Sequence, residues 1–324
     1  MSKALGLISG GLDSTLAAMT LMRQGIEVTG ISFVTPFFGA GKAKIAAEKI
    51  GFPLIVREIS EIHLQMVKQP KYGYGRNMNP CIDCHAMMFR LAGEIMEKEG
   101  FDFLFSGEVL GQRPMSQNAN ALRSVAKHCD YNDKVLRPLS AKLLPITPME
   151  ESGRVDREQL LDIQGRSRKP QQALAVEWGY LDYPSSGGGC LLTESGFSDR
   201  LRDLIEHDPQ TSVNDVELLK VGRQFRLSDK CKLVLGRNQA DNEAMSQFIE
   251  VNHTQLRCAN HSGPSGLLCG EIGTTDLKLA AAIVASYGKG KDETEVEILC
   301  IRGSDQKSLQ VAPLAREESL KLLL

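Results

Sequence analysis

No apolar run in this 324-residue chain approaches the roughly 20 residues that a membrane-spanning helix needs, so a membrane protein is not expected. The N-terminus, MSKALGLISGG, offers one lysine and a short apolar stretch cut off by glycines, so no secretory signal peptide is expected either. Basic charge is not in excess: 38 Lys and Arg face 40 Asp and Glu, a net charge of −2. That balance excludes a uniformly basic coat, while a local basic patch remains compatible with it. Internal repeats and low-complexity tails are absent, which excludes solenoids and long disordered arms. Eight cysteines without a secretory signal point to a reducing, cytoplasmic setting in which thiols serve as metal ligands or catalysts. What is present is an ordinary globular composition, 42% hydrophobic and 24% charged, long enough for two domains.

The first half alternates strand-like and helical runs. ALGLIS (4–9), EVTGISF (27–33), PLIVREI (53–59) and FDFLFSG (101–107) read as strands. STLAAMTLMRQG and GKAKIAAEKIG read as helices between them, 60–80 as irregular, and about 85–99 as a further helix. Such alternation predicts an α/β fold, a Rossmann-like parallel sheet with helices on both faces and a nucleotide site at its C-terminal edge. Residues 134–180 predict two more helices. The stretch PSSGGGCLLTESG (184–196) then breaks the pattern. The expected division is 1–195 and 196–324, the second part a smaller α+β domain with strands at VELLKVG, CKLVLG and EVEILCI and helices at DLKLAAAIVASYG and REESLKLLL.

The most informative segment is LGLISGGLDSTLAA. Ser9, Gly10, Gly11, Asp13 and Ser14 form S-G-G-x-D-S between a strand and a helix. The glycines let backbone N–H groups approach an anion, and the helix start turns its positive dipole end toward it. Ser9 and Ser14 add hydroxyl donors, and Asp13 is suited to holding Mg2+ or capping the helix. No lysine is present, so this is not a Walker A loop; GAGKAK near Lys42 lacks that motif's first glycine and following Ser or Thr. The segment resembles the PP-loop of ATP pyrophosphatases, and the resemblance implies binding of ATP and its cleavage to AMP and pyrophosphate while a substrate oxygen is adenylated.

Cys81 and Cys84, in NPCIDC, stand at a helix start, where the dipole favours thiolate. Cys190 follows three glycines. For these three thiols the residues leave open a [4Fe-4S] cluster with one open iron, a persulfide-carrying pair that resolves as a disulfide, and either structural zinc with His85 as the near fourth ligand or plain core cysteines. The other cysteines read as small buried thiols, and Cys258, His261 and Cys269 are spaced too irregularly for zinc.

NPCIDC is similar to the cysteine motif of tRNA thiouridylases, and SGEVLGQRPMSQ (106–117) with LRPL (136–139) resembles 4-thiouridine synthetases. The resemblance covers about residues 1–195. It implies that Ser106, Gly107 and Glu108 flank the nucleotide and that Gln112 and Gln117 line the site. It also implies tRNA as substrate, with sulfur drawn from free sulfide or a cysteine desulfurase. Those synthetases usually carry an RNA-binding region ahead of the loop, which here begins at residue 9, and some end in a rhodanese domain whose cysteine has no counterpart here.

RNA contact is therefore expected from the C-terminal half. KLVLGRNQADNEAM (232–245) resembles the GRN signature of the NFACT RNA-binding domain. Arg223, Arg226, Arg237 and Asn238 are the expected contacts, offering guanidinium and amide groups to phosphates or base edges. The alternative for this half is a mixed-charge domain that forms a homodimer, with Arg237 and Asn238 as turn residues. The sequence predicts an ATP-dependent tRNA sulfurtransferase. Its rivals are a PP-loop amide-forming ligase that adenylates a small carboxylate, and a non-catalytic RNA or nucleotide binder with a redox-sensing cluster.

Overall fold

A computed structural model of the chain describes residues 2–185 and 189–324. The chain divides into two compact units, Met1–Thr193 and Glu194–Leu324. Of the glycine run ahead of Cys190, Gly187 and Gly188 lie outside the described residues.

The first unit runs β1 (Lys3–Leu7), α1 (Leu12–Met22), β2 (Glu27–Val34), α2 (Gly41–Ile50), β3 (Leu54–Glu58), α3 (Ser60–Lys68), α4 (Cys81–Glu99), β4 (Phe103–Ser106), α5 (Ala119–His128), β5 (Val135–Leu136), α6 (Pro148–Glu151) and α7 (Lys169–Glu177). Its five strands are parallel in the order β3-β2-β1-β4-β5. This is the predicted Rossmann-like sheet. The central strands β1, β2 and β4 are covered on both faces, so they read as continuous apolar runs rather than alternating ones. One apolar layer joins α1, α2 and α7 to the sheet through Leu12, Leu16, Leu21, Ala43 and Ala175. The opposite layer is built on Phe89, Ala92 and Met96 of α4 with Val125 of α5.

The chain crosses from β1 to β2 on one side and returns to β4 on the other. Leu7 is in register with both Ile31 and Ser106, so the loops after β1 and β4 leave one sheet edge side by side. This crevice at the reversal of strand order is where α/β sheets bind ligands.

Two expectations for this unit are corrected. Residues 60–68, read as irregular, form α3, because His63, Leu64 and Val67 supply one buried helical face. Residues 134–180, read as two helices, form one two-turn helix, α7, preceded by β5, the single turn α6 and isolated 3-10 turns. Pro138 and Pro145 lack the N–H that helical hydrogen bonding needs, and Pro148 begins the single turn α6 rather than continuing a longer helix.

The second unit runs α8 (Ser195–His207), α9 (Val213–Leu218), β6 (Arg223–Ser228), β7 (Cys231–Leu235), α10 (Gln239–Met245), β8 (Thr254–Cys258), β9 (Gly266–Gly270), α11 (Thr274–Ser286), β10 (Val296–Arg302), β11 (Asp305–Val311) and α12 (Arg316–Leu320). Its six strands are antiparallel in the order β11-β10-β8-β9-β7-β6. Leu277, Ala281 and Val284 of α11 pack on one face. VELLKVG (216–222), expected as a strand, instead begins as the last three residues of α9 and continues as a turn into β6: Ser212 and Asp215 form a reciprocal capping box that fixes a helix start just ahead of it. No helix among the described residues is long and apolar enough to cross a membrane.

Candidate functional site

The S-G-G-x-D-S segment forms the turn from β1 into α1. Gly10 has φ +74°, and a Cβ there would sit 2.1 Å from the carbonyl carbon of Lys42, so only glycine fits. Gly11 is the N-cap of α1 and makes no side-chain cap, which leaves the first-turn amides without a side-chain acceptor. The hydroxyls shape the turn: the Gly11 N–H donates to Ser9 Oγ at 3.3 Å, Ser14 Oγ donates to the Gly11 carbonyl at 3.0 Å, and the two serine oxygens are 3.2 Å apart.

The second loop packs directly on the first. A Cβ on Gly107 would stand 2.4 Å from the Ser14 nitrogen, so glycine is required where the two backbones meet. Beside it, Glu108 is 5% exposed and fully engaged. Its Oε1 pairs with His85 Nδ1 at 2.8 Å; its Oε2 accepts from Arg137 Nε at 2.9 Å and from Ser106 Oγ at 3.2 Å. Burial by itself would raise its pKa, but the Arg137 charge and the His85 hydrogen bond outweigh it, and the pKa falls from 4.5 to about 2. Glu108 is therefore an ionised strut that ties the end of β4, through Ser106, to the helix carrying Cys81 and Cys84, through His85. His85, considered in the sequence as a zinc ligand, has Nδ1 committed to this strut.

Asp13 faces the same crevice. Its Oδ2 accepts from Gln112 Nε2 at 2.8 Å and Arg168 Nη2 at 3.1 Å, while Oδ1 is buried without a partner. Gln112 in turn accepts from the fully buried Gln171 at 2.8 Å. Asp13 makes no helix cap. An orphaned carboxylate oxygen beside this glycine turn fits a hard divalent cation such as Mg2+, so the donor chemistry is compatible with the expected ion. Gln117 is also buried, and its Oε1 has no partner.

The thiols gather at the start of α4, which begins at Cys81 itself, four residues earlier than expected. Asn79 Nδ2 donates to Cys81 Sγ at 3.3 Å, and His63 Nε2 lies 3.3 Å from the buried Cys84 Sγ. His63 is fully buried between Phe37 and Phe38, and burial lowers its pKa to about 4, so its ring is neutral at pH 7. Cys190 reaches the same place: Leu191 N–H donates to the Phe37 carbonyl at 2.9 Å, Asn77 Nδ2 donates to the Thr193 carbonyl at 2.6 Å, and Thr193 N–H closes the turn on the Cys190 carbonyl. Burial raises the Cys84 pKa first, and negative charge on Cys190 and on Cys81 raises it further, against the thiolate expected there from the helix start.

Among the described residues no three His, Cys, Asp or Glu side chains stand close enough to hold a single ion. That spacing disfavours zinc both here and at Cys258, His261 and Cys269, where His261 pairs with Glu293 at 3.2 Å. An iron–sulfur cluster is broader than an ion and takes thiolates set around it, stabilised by hydrogen bonds such as the one Asn79 donates to Cys81. The donor set fits such a cluster.

The sequence does not single out His63, Arg137, Arg168 or Gln171. LRPL pointed to the neighbourhood of Arg137; the other three depend on contacts across 21 to 155 residues of chain.

In the second unit the predicted RNA contacts are largely engaged internally. Arg226 forms a two-nitrogen pair with Asp203, its Nη2 at 2.6 Å. Arg237 pairs with Asp241 at 2.6 Å, and Asn238 caps α10 by accepting from the Asp241 N–H at 2.9 Å, which matches the turn-residue alternative. Arg223 lies over the Tyr287 ring at 5.1 Å.

Residues 1–142 match the family model of thiamine biosynthesis protein (ThiI), and residues 222–322 match that of the NFACT protein RNA binding domain. The first match falls within the first unit and the second within the second unit, each covering less than half of the chain. A "Probable tRNA sulfurtransferase" of Staphylococcus aureus (strain MRSA252) is 30% identical over 148 residues, which is 42% of this chain and 34% of that protein. The chain spans about a third of the length of such curated relatives. Among solved structures, a 4-thiouridine synthetase–RNA complex with bound ATP aligns with 68% of this chain and 52% of its own at 20% identity and TM-score 0.41. The C-terminal part of the fibronectin/fibrinogen-binding protein from Streptococcus suis aligns with 75% of this chain and 90% of its own at 12% identity and TM-score 0.30.

Proposed function

We propose that this chain is an ATP-dependent, cytoplasmic tRNA sulfurtransferase that converts a uridine to a thiouridine. The observation that carries the reading is the strut at Glu108: one buried carboxylate joins the edge of the nucleotide crevice, through Ser106, to the thiol-bearing helix, through His85. An ATP site and a set of soft nucleophiles held together in this way suit a reaction that activates an oxygen and replaces it with sulfur. The match of residues 1–142 to ThiI and of residues 222–322 to an RNA-binding domain supports the same assignment.

In this mechanism the α1 turn receives the phosphates of ATP on backbone N–H groups and the Ser9 and Ser14 hydroxyls. The uridine carbonyl oxygen attacks the α-phosphorus, the bond to pyrophosphate breaks, and an adenylated base results. A sulfur nucleophile, derived from free sulfide or a cysteine desulfurase, then adds to the activated carbon; AMP leaves with the original oxygen. Asp13, through Oδ1, would hold Mg2+, which screens the phosphate charge. Cys81, Cys84 and Cys190 would hold a [4Fe-4S] cluster, which supplies an open iron able to bind hydrosulfide. The protein's own contribution is placement: Glu108 and Arg137 fix the two loops, Gln112 and Gln171 orient Asp13, and His63 and Asn79 orient the sulfurs.

Anaerobic purification with assay of iron and acid-labile sulfide, alongside Cys81→Ala, Cys84→Ala and Cys190→Ala, tests the reading. About four irons and four sulfides per chain, lost in each variant together with ATP-dependent thiouridine formation, are expected. An iron-free protein holding a Cys81–Cys190 or Cys84–Cys190 disulfide would replace the cluster with persulfide chemistry. Full ATP turnover in all three variants, with a small carboxylate consumed, would replace thiolation with amide formation.

A further inference from the structure

Between α3 and α4 the chain reads KQPKYGYGR (68–76), with three basic residues, two tyrosines and no acid. No Asp or Glu occurs anywhere between Glu61 and Asp83, in a protein whose net charge is −2. The segment is also exposed where it matters: Tyr72 and Tyr74 are 40% and 41% accessible, and Lys71 and Arg76 are open to solvent. Large aromatic rings left in water beside cations are the combination by which proteins take up single-stranded or unstacked nucleotides.

The loop is fixed, and it is fixed to the thiol helix. The Asp83 carboxylate, in the first turn of α4, accepts from the backbone N–H of Lys71 at 3.2 Å and of Tyr72 at 3.0 Å. Gly75 N–H donates to the carbonyl of Asn79, the residue whose side-chain amide donates to Cys81 Sγ. Asn77 anchors the Cys190 turn through Thr193. The Tyr72 ring meets His128 at the end of α5 edge-on at 5.3 Å, and Tyr74 Oη donates to the Val67 carbonyl at 2.7 Å. Both rings are therefore held in place before any ligand arrives, which lowers the ordering cost of binding.

We propose that residues 71–76 are a platform that receives an unstacked nucleotide of the RNA, stacking its base on Tyr72 or Tyr74 and holding its phosphate with Lys71 and Arg76, next to the thiols. The inference rests on the thiolation reading for the identity of the RNA and deepens it. A base inside a folded RNA is stacked and out of reach of a buried reagent, so an enzyme acting on its ring must draw it out and give its face a new partner. The platform supplies that partner on the first unit, separately from the NFACT-type domain.

The test is binding of an unmodified tRNA transcript to the full chain, with ultraviolet cross-links mapped by mass spectrometry. Tyr72→Ala and Tyr74→Ala should weaken binding roughly 5- to 150-fold each where the ring carries a base. Tyr72→Phe, which keeps the ring and its contact with His128, should bind and melt like the parent; Tyr74→Phe keeps the ring but loses the bond to the Val67 carbonyl, so it should melt slightly lower while binding far better than Tyr74→Ala. Arg76→Ala should lower the salt slope of binding by about one ion. Cross-links within residues 71–76 complete the expected result. Unchanged affinity in both alanine variants, with cross-links elsewhere, would overturn the platform and leave the thiolation reading to its iron and thiouridine assays. Cross-links at 71–76 in a chain that forms no thiouridine would retain the platform and sink thiolation. Failure of the parent to bind the transcript would overturn the platform.

Discussion

Replacing Glu108 by glutamine removes one charge from the buried strut and keeps its shape. Arg137, itself 8% exposed and with Nη2 already lacking a partner, would then carry an uncompensated buried charge. Breaking a buried pair in this way costs about 3–5 kcal/mol. The pH dependence gives a second route to the same figure. A carboxyl whose pKa falls from 4.5 unfolded to about 2 folded contributes about 3 kcal/mol of stability. Because the folded value is the lower one, that stability is fully present above pH 4.5 and is lost as pH falls toward 2. For a unit of this size about 3 kcal/mol corresponds to a drop of roughly 6–12 °C in melting temperature. Calorimetric melts of the parent and Glu108→Gln from pH 7 down to pH 2.5 should therefore show a gap at neutral pH that narrows below pH 4.5. Adding Arg137→Met to Glu108→Gln should recover most of the loss, since the stranded charge goes with it. A neutral-pH gap under 1 °C, or one that stays constant into acid, would refute the account of Glu108 as an ionised strut.

Gly107→Ala should push the β4 loop off the α1 turn, costing about 1–3 kcal/mol and weakening ATP binding by equilibrium dialysis. Asp13→Asn should leave the melting temperature near the parent's while cutting Mg2+-dependent pyrophosphate release about 100-fold; unchanged release would remove Asp13 from the chemistry. Asn238→Ala removes the cap of α10 and should cost about 1 kcal/mol, read in the denaturant midpoint of the second unit. If RNA affinity falls there by far more than stability does, Asn238 contacts RNA as well as capping the helix.

The sequence carried the α/β reading because the buried parallel strands β1, β2 and β4 are short apolar runs between helices whose termini are marked locally. It carried S-G-G-x-D-S for the same reason: a turn that must bring backbone amides to an anion constrains adjacent residues, so its signature is contiguous. It misread 134–180, where prolines and single turns outweigh helical propensity, and VELLKVG, where a capping box overrides a strand-like pattern. The engaged state of Arg226 and Arg237 was invisible as well, since each depends on which acidic neighbour the fold supplies.

What the sequence determined by itself, then, is the set of elements and the short motifs whose geometry is local: the glycine turn between β1 and α1, the helix-start thiols and the glycines that permit close approach. What only the tertiary structure decided is how these act together. The Glu108–His85–Arg137 strut, the Asp13–Gln112–Gln171 chain and the His63–Cys84 contact join residues 21 to 99 positions apart. Such partners leave no periodic trace in the chain, because a buried charge is satisfied by whatever the fold brings within about 3 Å of it, not by its neighbours in sequence.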